Sequence, residues 1–171
     1  MRRALLAAVV LLSSACGYHL VGLSSTLPAR LKTLYVAPFV NQSAAAQLDQ
    51  RLTEAVSQEW GRRGRFQLVS SASDADAVLS ATVTGAAVSP VQFDSQGRAT
   101  TYQLTVSADV QLVDRTGKKP VVLWSDKHFS RTVSYQVNVN ATDYFDQEVE
   151  AYDRVSRDFA LGLVVTILEG F

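Results

Sequence analysis

Between residues 101 and 113 the chain alternates without a break. Tyr102, Leu104, Val106, Ala108, Val110 and Leu112 are apolar, and Gln103, Thr105, Ser107, Asp109 and Gln111 separate them. Successive side chains of a strand point to opposite faces, so this segment has one buried face and one that meets water or a partner. A helix is excluded, because a spacing of two would scatter the same apolar residues around its whole circumference. The chain therefore has to build a sheet that is covered on one side.

The neighbouring segments extend that sheet. In residues 77–91 Ala77, Leu79, Ala81 and Val83 alternate with Ser80, Thr82 and Thr84. Residues 120–135 give a third strand of weaker alternation, with Trp124 and Phe129 on opposite faces by parity. Asp94-Ser95-Gln96-Gly97 and Asp114-Arg115-Thr116-Gly117 carry turn chemistry and join the three into a meander. Residues 31–39 read as a short strand with Pro38 near its end. Asn41-Gln42-Ser43 offers caps for a helix over 44–63, where Ala45, Leu48, Leu52 and Val56 recur at helical spacing. Gly61 and Gly64 end it, with Arg62 and Arg63 at the negative end of its dipole. Residues 66–69 form a further short strand or none.

Thr142-Asp143 opens a long last helix that ends near Glu169-Gly170. Phe145, Val149, Tyr152, Phe159, Leu163 and Ile167 make its apolar stripe, widened by Val155 and Leu168, and Gly162 permits close packing. The expected fold is α+β: two helices packed on a mostly antiparallel four-stranded sheet, a two-layer sandwich.

The first residues read as an address. Met1-Arg2-Arg3 is a short positive region, residues 4–12 are apolar, and Ser13-Ser14-Ala15 are small and precede the only cysteine, Cys16. Nine apolar residues rise about 13.5 Å as a helix, under half the thickness of a bilayer core. Cys16 is either a stray thiol beside a cleavage site or the lipidated N-terminus of a bacterial lipoprotein, and the small residues before it favour the second. The pattern resembles the lipobox, with Ser13 in the place where Leu is usual. Gly17 follows the cysteine where an Asp would signal inner-membrane retention, so export to the outer membrane is implied. The chain then divides into a signal peptide (1–15), a lipidated tether (16–30) and a single α+β domain (31–171). Losing Arg2 and Arg3 with the signal leaves 14 of the 16 basic side chains against 16 acidic ones.

Little in the rest of the chain suggests chemistry. Two histidines and one cysteine among 171 residues give poor material for a metal site. His19 lies in the tether and His128 in a strand, neither with a partner at catalytic or ligating spacing. Asp143, Asp146, Glu148, Glu150 and Asp153 suit a solvated face at a helix N-terminus better than a catalytic pair. Gly61-Arg62-Arg63-Gly64 ends a helix, whereas a phosphate loop opens one. A balanced charge without a Lys/Arg block disfavours nucleic acid. An enzyme is not expected, nor is any cofactor.

Several motifs together point to a family. Cys16-Gly17-Tyr18-His19-Leu20, then Leu27-Pro28 and Leu31-Lys32-Thr33-Leu34, resemble the start of the lipopolysaccharide-assembly lipoprotein family, LptE. Gly97-Arg98-Ala99-Thr100-Thr101-Tyr102-Gln103-Leu104 resembles that family's hairpin turn and following strand, and the last helix agrees through Tyr152-Asp153 and residues 158–163. The resemblance implies a lipoprotein anchored through Cys16 in the inner leaflet of the outer membrane. It implies a plug inside a large outer-membrane β-barrel protein, LptD, which it helps to assemble and to deliver lipopolysaccharide. Basic residues near the loop end of the sheet then contact lipopolysaccharide. Arg98 fits that role, with the acid Asp94 where the family often carries a base. Tyr35-Val36-Ala37-Pro38-Phe39-Val40-Asn41-Gln42-Ser43 also resembles curli-secretion and peptidoglycan-synthase activator lipoproteins, which are adaptors of other envelope machines.

Overall fold

The computed structural model describes residues 27–137 and 144–169. In chain order these form β1 (Thr33–Val36), β2 (Val40–Asn41), α1 (Leu48–Arg63), β3 (Gln67–Leu68), a 3-10 turn (Ala72–Asp74), β4 (Ala77–Phe93), β5 (Ala99–Asp114), β6 (Val121–Gln136) and α2 (Tyr144–Glu169). The signal peptide, Cys16, His19, Thr142-Asp143 and the terminal Gly170 lie outside the described residues.

The class expected from the sequence holds, and the sheet is larger and more mixed than four antiparallel strands. It has six strands in the order β3-β1-β4-β5-β6, with β2 pairing β4 beyond the end of β1. β4, β5 and β6 form the antiparallel meander. β1 pairs with β3 and β4 in parallel, and β2 with β4 in parallel. The parallel part follows from connectivity: β1 returns to β3 through α1, and a strand that comes back through a helix runs in its original direction. The short 66–69 segment thus becomes a real edge strand, two residues long.

The alternation of β5 sorts as its sequence requires. Leu104, Val106, Ala108, Val110 and Leu112 are buried in one core with Leu48, Leu52, Val56 and Trp60 of α1 and Val155, Phe159, Leu163 and Ile167 of α2. Val149 of the expected stripe is instead 49% exposed. α1 starts at Leu48, four residues later than expected. Asn41 is spent on a turn: its Oδ1 accepts from Ser43 N and Ser43 Oγ, and its Nδ2 donates to Ala45 O. Gln47 therefore takes the cap position in a left-handed conformation (φ 60°), without a side-chain cap. The other end behaves as read: Gly64 adopts φ 63° and its N–H reaches Trp60 O.

Two bulges decide which residues meet. In β4 the register shifts between Val83 and Gly85, so the core positions move from odd to even residues. In β6 Ala108 pairs with Phe129 while Val110 pairs with Asp126, which leaves Lys127 and His128 facing a single residue of β5. Asp126 Oδ1 holds this bulge by accepting the N–H of His128. The extra residue cancels the parity argument for Trp124 and Phe129. They share the covered face with ring centroids 6.4 Å apart, and Phe129 meets Phe159 edge-on at 4.9 Å.

Candidate functional surfaces: the open face and its two ends

Both helices lie on one side of the sheet, so the opposite face of β4, β5 and β6 carries no described element. Register assembles it in rows: Ser80 beside Gln111 and Ser125, Thr82 beside Asp109, Ala87 beside Thr105 and Thr132, Ser89 beside Gln103 and Ser134. Most of these side chains are short and neutral. Thr105 and Thr132 hydroxyls bond across the strands at 2.9 Å. Such a face offers donors and acceptors to water or to another polar surface. His128 is exposed in the bulge of β6. Asp153, one of the acids at the start of α2, pairs with Arg51 and ties the two helices together.

The far end of the β4–β5 hairpin carries Arg98. Asp94 organises this turn. Its Oδ1 accepts from the N–H groups of Gln96 and Arg98, both at 2.9 Å, and its Oδ2 accepts from Arg98 Nε at 2.8 Å. Gly97 sits at φ 77°, a left-handed conformation that glycine adopts without strain. The backbone hydrogen bond from Arg98, with its side-chain bond and charge in support, holds the Asp94 carboxyl below the usual carboxylate range. Arg98 is thus a clamp of its own turn. Its guanidinium stays half exposed, and its terminal nitrogens make no hydrogen bond to the described protein. Val91 and Phe93, exposed by 46% and 59%, flank it.

The opposite end of the sheet is built differently, from contacts most of which no local pattern marks. The chain already belongs to the core at Leu27 and Leu31, within or beside the segment read as tether. Arg30 pairs with Asp114, whose carboxylate is almost fully buried. Thr116 also donates its hydroxyl (2.7 Å) and its N–H (2.8 Å) to Asp114. These bonds, with Arg30 adding to them, depress the Asp114 carboxyl. Asp76 accepts the backbone N–H groups of Lys32 (2.7 Å) and Thr33 (3.0 Å), which depress it likewise. Arg65 donates to the carbonyls of Leu31 and Pro28. Burial alone would raise Glu59, but hydrogen bonds from Arg63 and Arg62 reverse that and hold it low. Arg62 and Arg63, read as dipole partners, therefore compensate a buried carboxylate. The Glu59 bonds stand at helical spacing, i+3 and i+4; the other contacts escape local periodicity, because each joins residues far apart in the chain or depends on a turn.

The covered face hides one further dependence. Arg131 of β6 folds its guanidinium over the Phe129 ring, 4.4 Å from the centroid, and donates to Ser130 O at 2.7 Å. A Cβ added at Gly162 would land on that guanidinium, 2.6 Å from Cζ. Gly162 thus permits close packing as expected, and the partner is an arginine.

The sequence profile of the family described as LptE, lipopolysaccharide-assembly, matches residues 31–165. No curated protein sequence matches the chain significantly. Among solved structures the fold is similar to the hypothetical protein CT253 from Chlamydia trachomatis (TM-score 0.56, 13% identity, 82% of this chain and 99% of that one). It is also similar to a putative lipoprotein from Caulobacter crescentus (TM-score 0.51, 17% identity, 78% and 91%). A third likeness is to PelC from Paraburkholderia phytofirmans, solved as a dodecamer (TM-score 0.53, 13% identity, 85% and 95%). At these identities the likeness is one of fold.

Proposed function

Because this chain belongs to the lipopolysaccharide-assembly family, LptE, we propose that it is an outer-membrane lipoprotein that plugs the lipopolysaccharide-transport β-barrel, LptD. In this role it supports the barrel's assembly and the delivery of lipopolysaccharide to the cell surface. The observation that carries the reading is the family match, which spans nearly the whole described domain. The open face supports it. The inside of a large membrane barrel is polar and wet, and a plug that presents short hydroxyl and amide side chains can meet it through direct and water-bridged hydrogen bonds. Function then resides in surfaces, with no catalytic residue.

Cys16 is the proposed anchor, released by removal of residues 1–15 and acylated. Two or more acyl chains hold a protein stably in a leaflet. Intact mass of the membrane-extracted protein tests this: an unmodified thiol, or cleavage elsewhere, overturns it. Arg98 is the proposed contact to a lipopolysaccharide phosphate, through the terminal nitrogens that Asp94 leaves available. A charge-assisted hydrogen bond of that kind is worth roughly 1.5–3 kcal/mol. Arg98→Gln should weaken lipopolysaccharide binding about tenfold, while loss of the half-exposed pair with Asp94 lowers the melting temperature only slightly; unaltered affinity would leave Arg98 as a turn residue only.

The whole reading is tested by purifying the lipoprotein from native membranes in mild detergent and identifying its companions by mass spectrometry. Recovery of a large outer-membrane barrel protein is expected. Recovery of a curli-secretion or peptidoglycan-synthase complex, or of the lipoprotein alone, would overturn it.

A further inference from the structure

The sheet is polar through the middle of its open face and apolar toward both ends: Val91 and Phe93 lie exposed beside Arg98, and a broader apolar row closes the other end. There Tyr35, Val78, Val113 and Val122 stand side by side in register across β1, β4, β5 and β6. Tyr35, Val78 and Val113 are partly exposed, Val122 is 55% exposed, and its neighbour Val121 is 56% exposed. The β5–β6 turn beside this row is exposed throughout and carries Arg115, Lys118 and Lys119. Lys32 is exposed at the same end. The carboxylates at this end are Asp74, Asp76 and Asp114. Against these three stand five cations, Arg30, Lys32, Arg115, Lys118 and Lys119, with Arg30 already paired to Asp114, so the end keeps a formal excess of two positive charges. An apolar row bordered by free cations is the composition of a surface that rests on headgroups, with the cations on phosphates and the apolar groups at the acyl boundary.

The position of the chain's N-terminal side selects what this surface meets. Residues 27–31 reach the domain at this same end, clamped by Arg30 to Asp114 and by Arg65 to the carbonyls of Pro28 and Leu31. The chain from Cys16 to Leu27 spans at most about 38 Å even when fully extended. β4 has 17 residues, so the Asp94–Arg98 turn lies roughly 50 Å from this end.

We propose that the end of the sheet formed by Arg115, Lys118, Lys119, Val121 and Val122 docks on anionic phospholipid headgroups of the leaflet that holds the anchor. It is a second membrane contact, and it sets the domain upright with the Arg98 turn pointing away from that leaflet. The inference rests on the reading of Cys16 as the anchor; its test does not.

The test uses the chain from Cys16 to Phe171 with Cys16→Ser, so that no acyl chain contributes. Its partitioning is measured by co-sedimentation with phosphatidylcholine vesicles, with and without phosphatidylglycerol. Binding should require phosphatidylglycerol and weaken as salt is added. Each cation near such a surface contributes about a factor of five, so Lys118→Glu/Lys119→Glu should lower the partition coefficient at least 25-fold, roughly. Val121→Ser/Val122→Ser should lower it several-fold, and all variants should melt as the parent does. Lys127→Glu in the β6 bulge reverses a charge away from this end and should change partitioning less than twofold, roughly. Equal binding to both vesicle types would overturn the proposal, as would indifference to the Lys118/Lys119 reversal or an equal loss with Lys127→Glu. Binding confined to lipopolysaccharide aggregates would overturn it in favour of that lipid. The barrel plays no part in this assay, so failure here leaves the plug reading standing, and loss of the barrel on purification leaves this result standing.

Discussion

Leu104 and Thr105 are neighbours in β5, yet they belong to different problems. Leu104 is fully buried in the core that the sheet shares with the helices, on a face whose shape is set by packing. Thr105 lies on the open face, where it bonds across to Thr132 and touches no helix. The covered face is intolerant because its residues have no alternative partners. The open face is tolerant of folding and selective for what docks there. Sequence alternation encodes both at once, and a function exercised by a surface is therefore written in the residues that contribute least to stability.

That contrast can be broken most sharply at the covered face. Leu104→Ala should cost about 3 kcal/mol through lost burial and a residual cavity. Thr105→Ala, one position along, should fall within about 0.5 kcal/mol of the parent. Chemical denaturation of the two variants checks both values, and similar losses would erase the distinction between the faces.

An intermediate effect is expected where the covered face closes on itself. Gly162→Ala should cost about 1–2 kcal/mol, because the Arg131 guanidinium has to leave the Phe129 ring and Ser130 O. The cost should shrink when Arg131→Ala is already present. A full cost in both backgrounds would mean that Arg131 is not the obstacle.

The two ends of the sheet give the third comparison. Asp76 and Asp114 hold folded pKa values below their ordinary value of 3.8. Their stabilisation is therefore complete above that ordinary value and is lost as pH falls through the folded values. Asp76→Asn should lower stability at neutral pH by about 1–2 kcal/mol and flatten the acid limb of the stability profile. An acid limb as steep as the parent's would place the titration elsewhere.

The smallest stability effect is the most informative for function. Thr105→Glu should leave melting within about a degree or two, since surface substitutions rarely exceed 0.5 kcal/mol or so. It should still reduce co-purification of the barrel, because an unpaired carboxylate at a docked face has to be desolvated. Unchanged recovery would argue that the open face is not the docked one.

The meander, the last helix and their shared core were legible because period two and period 3.6 are local signals. β5 alone dictated a one-sided sheet. The parallel half was less so: the pairing of β3 is visible only once α1 carries the chain back alongside β1. Parity failed at Trp124 and Phe129 because a bulge adds a residue that no pattern marks beforehand. The start of α1 shifted because Asn41 prefers its own turn to capping. The turn that carries Arg98 was legible from Asp94 and Gly97, but the bond of Arg98 to Asp94 depends on the turn's geometry. The apolar row at the tether end was invisible, since its four residues come from four strands and meet only through register.

The central claim is that the face left open by both helices is the one a polar barrel interior covers. Site-specific photo-crosslinking from Thr105 and Gln111 in growing cells tests it most directly. The account predicts a covalent adduct between each position and an outer-membrane barrel protein, in lipoprotein that is anchored and folded. Anchored, folded lipoprotein that yields no barrel adduct from either position would contradict it.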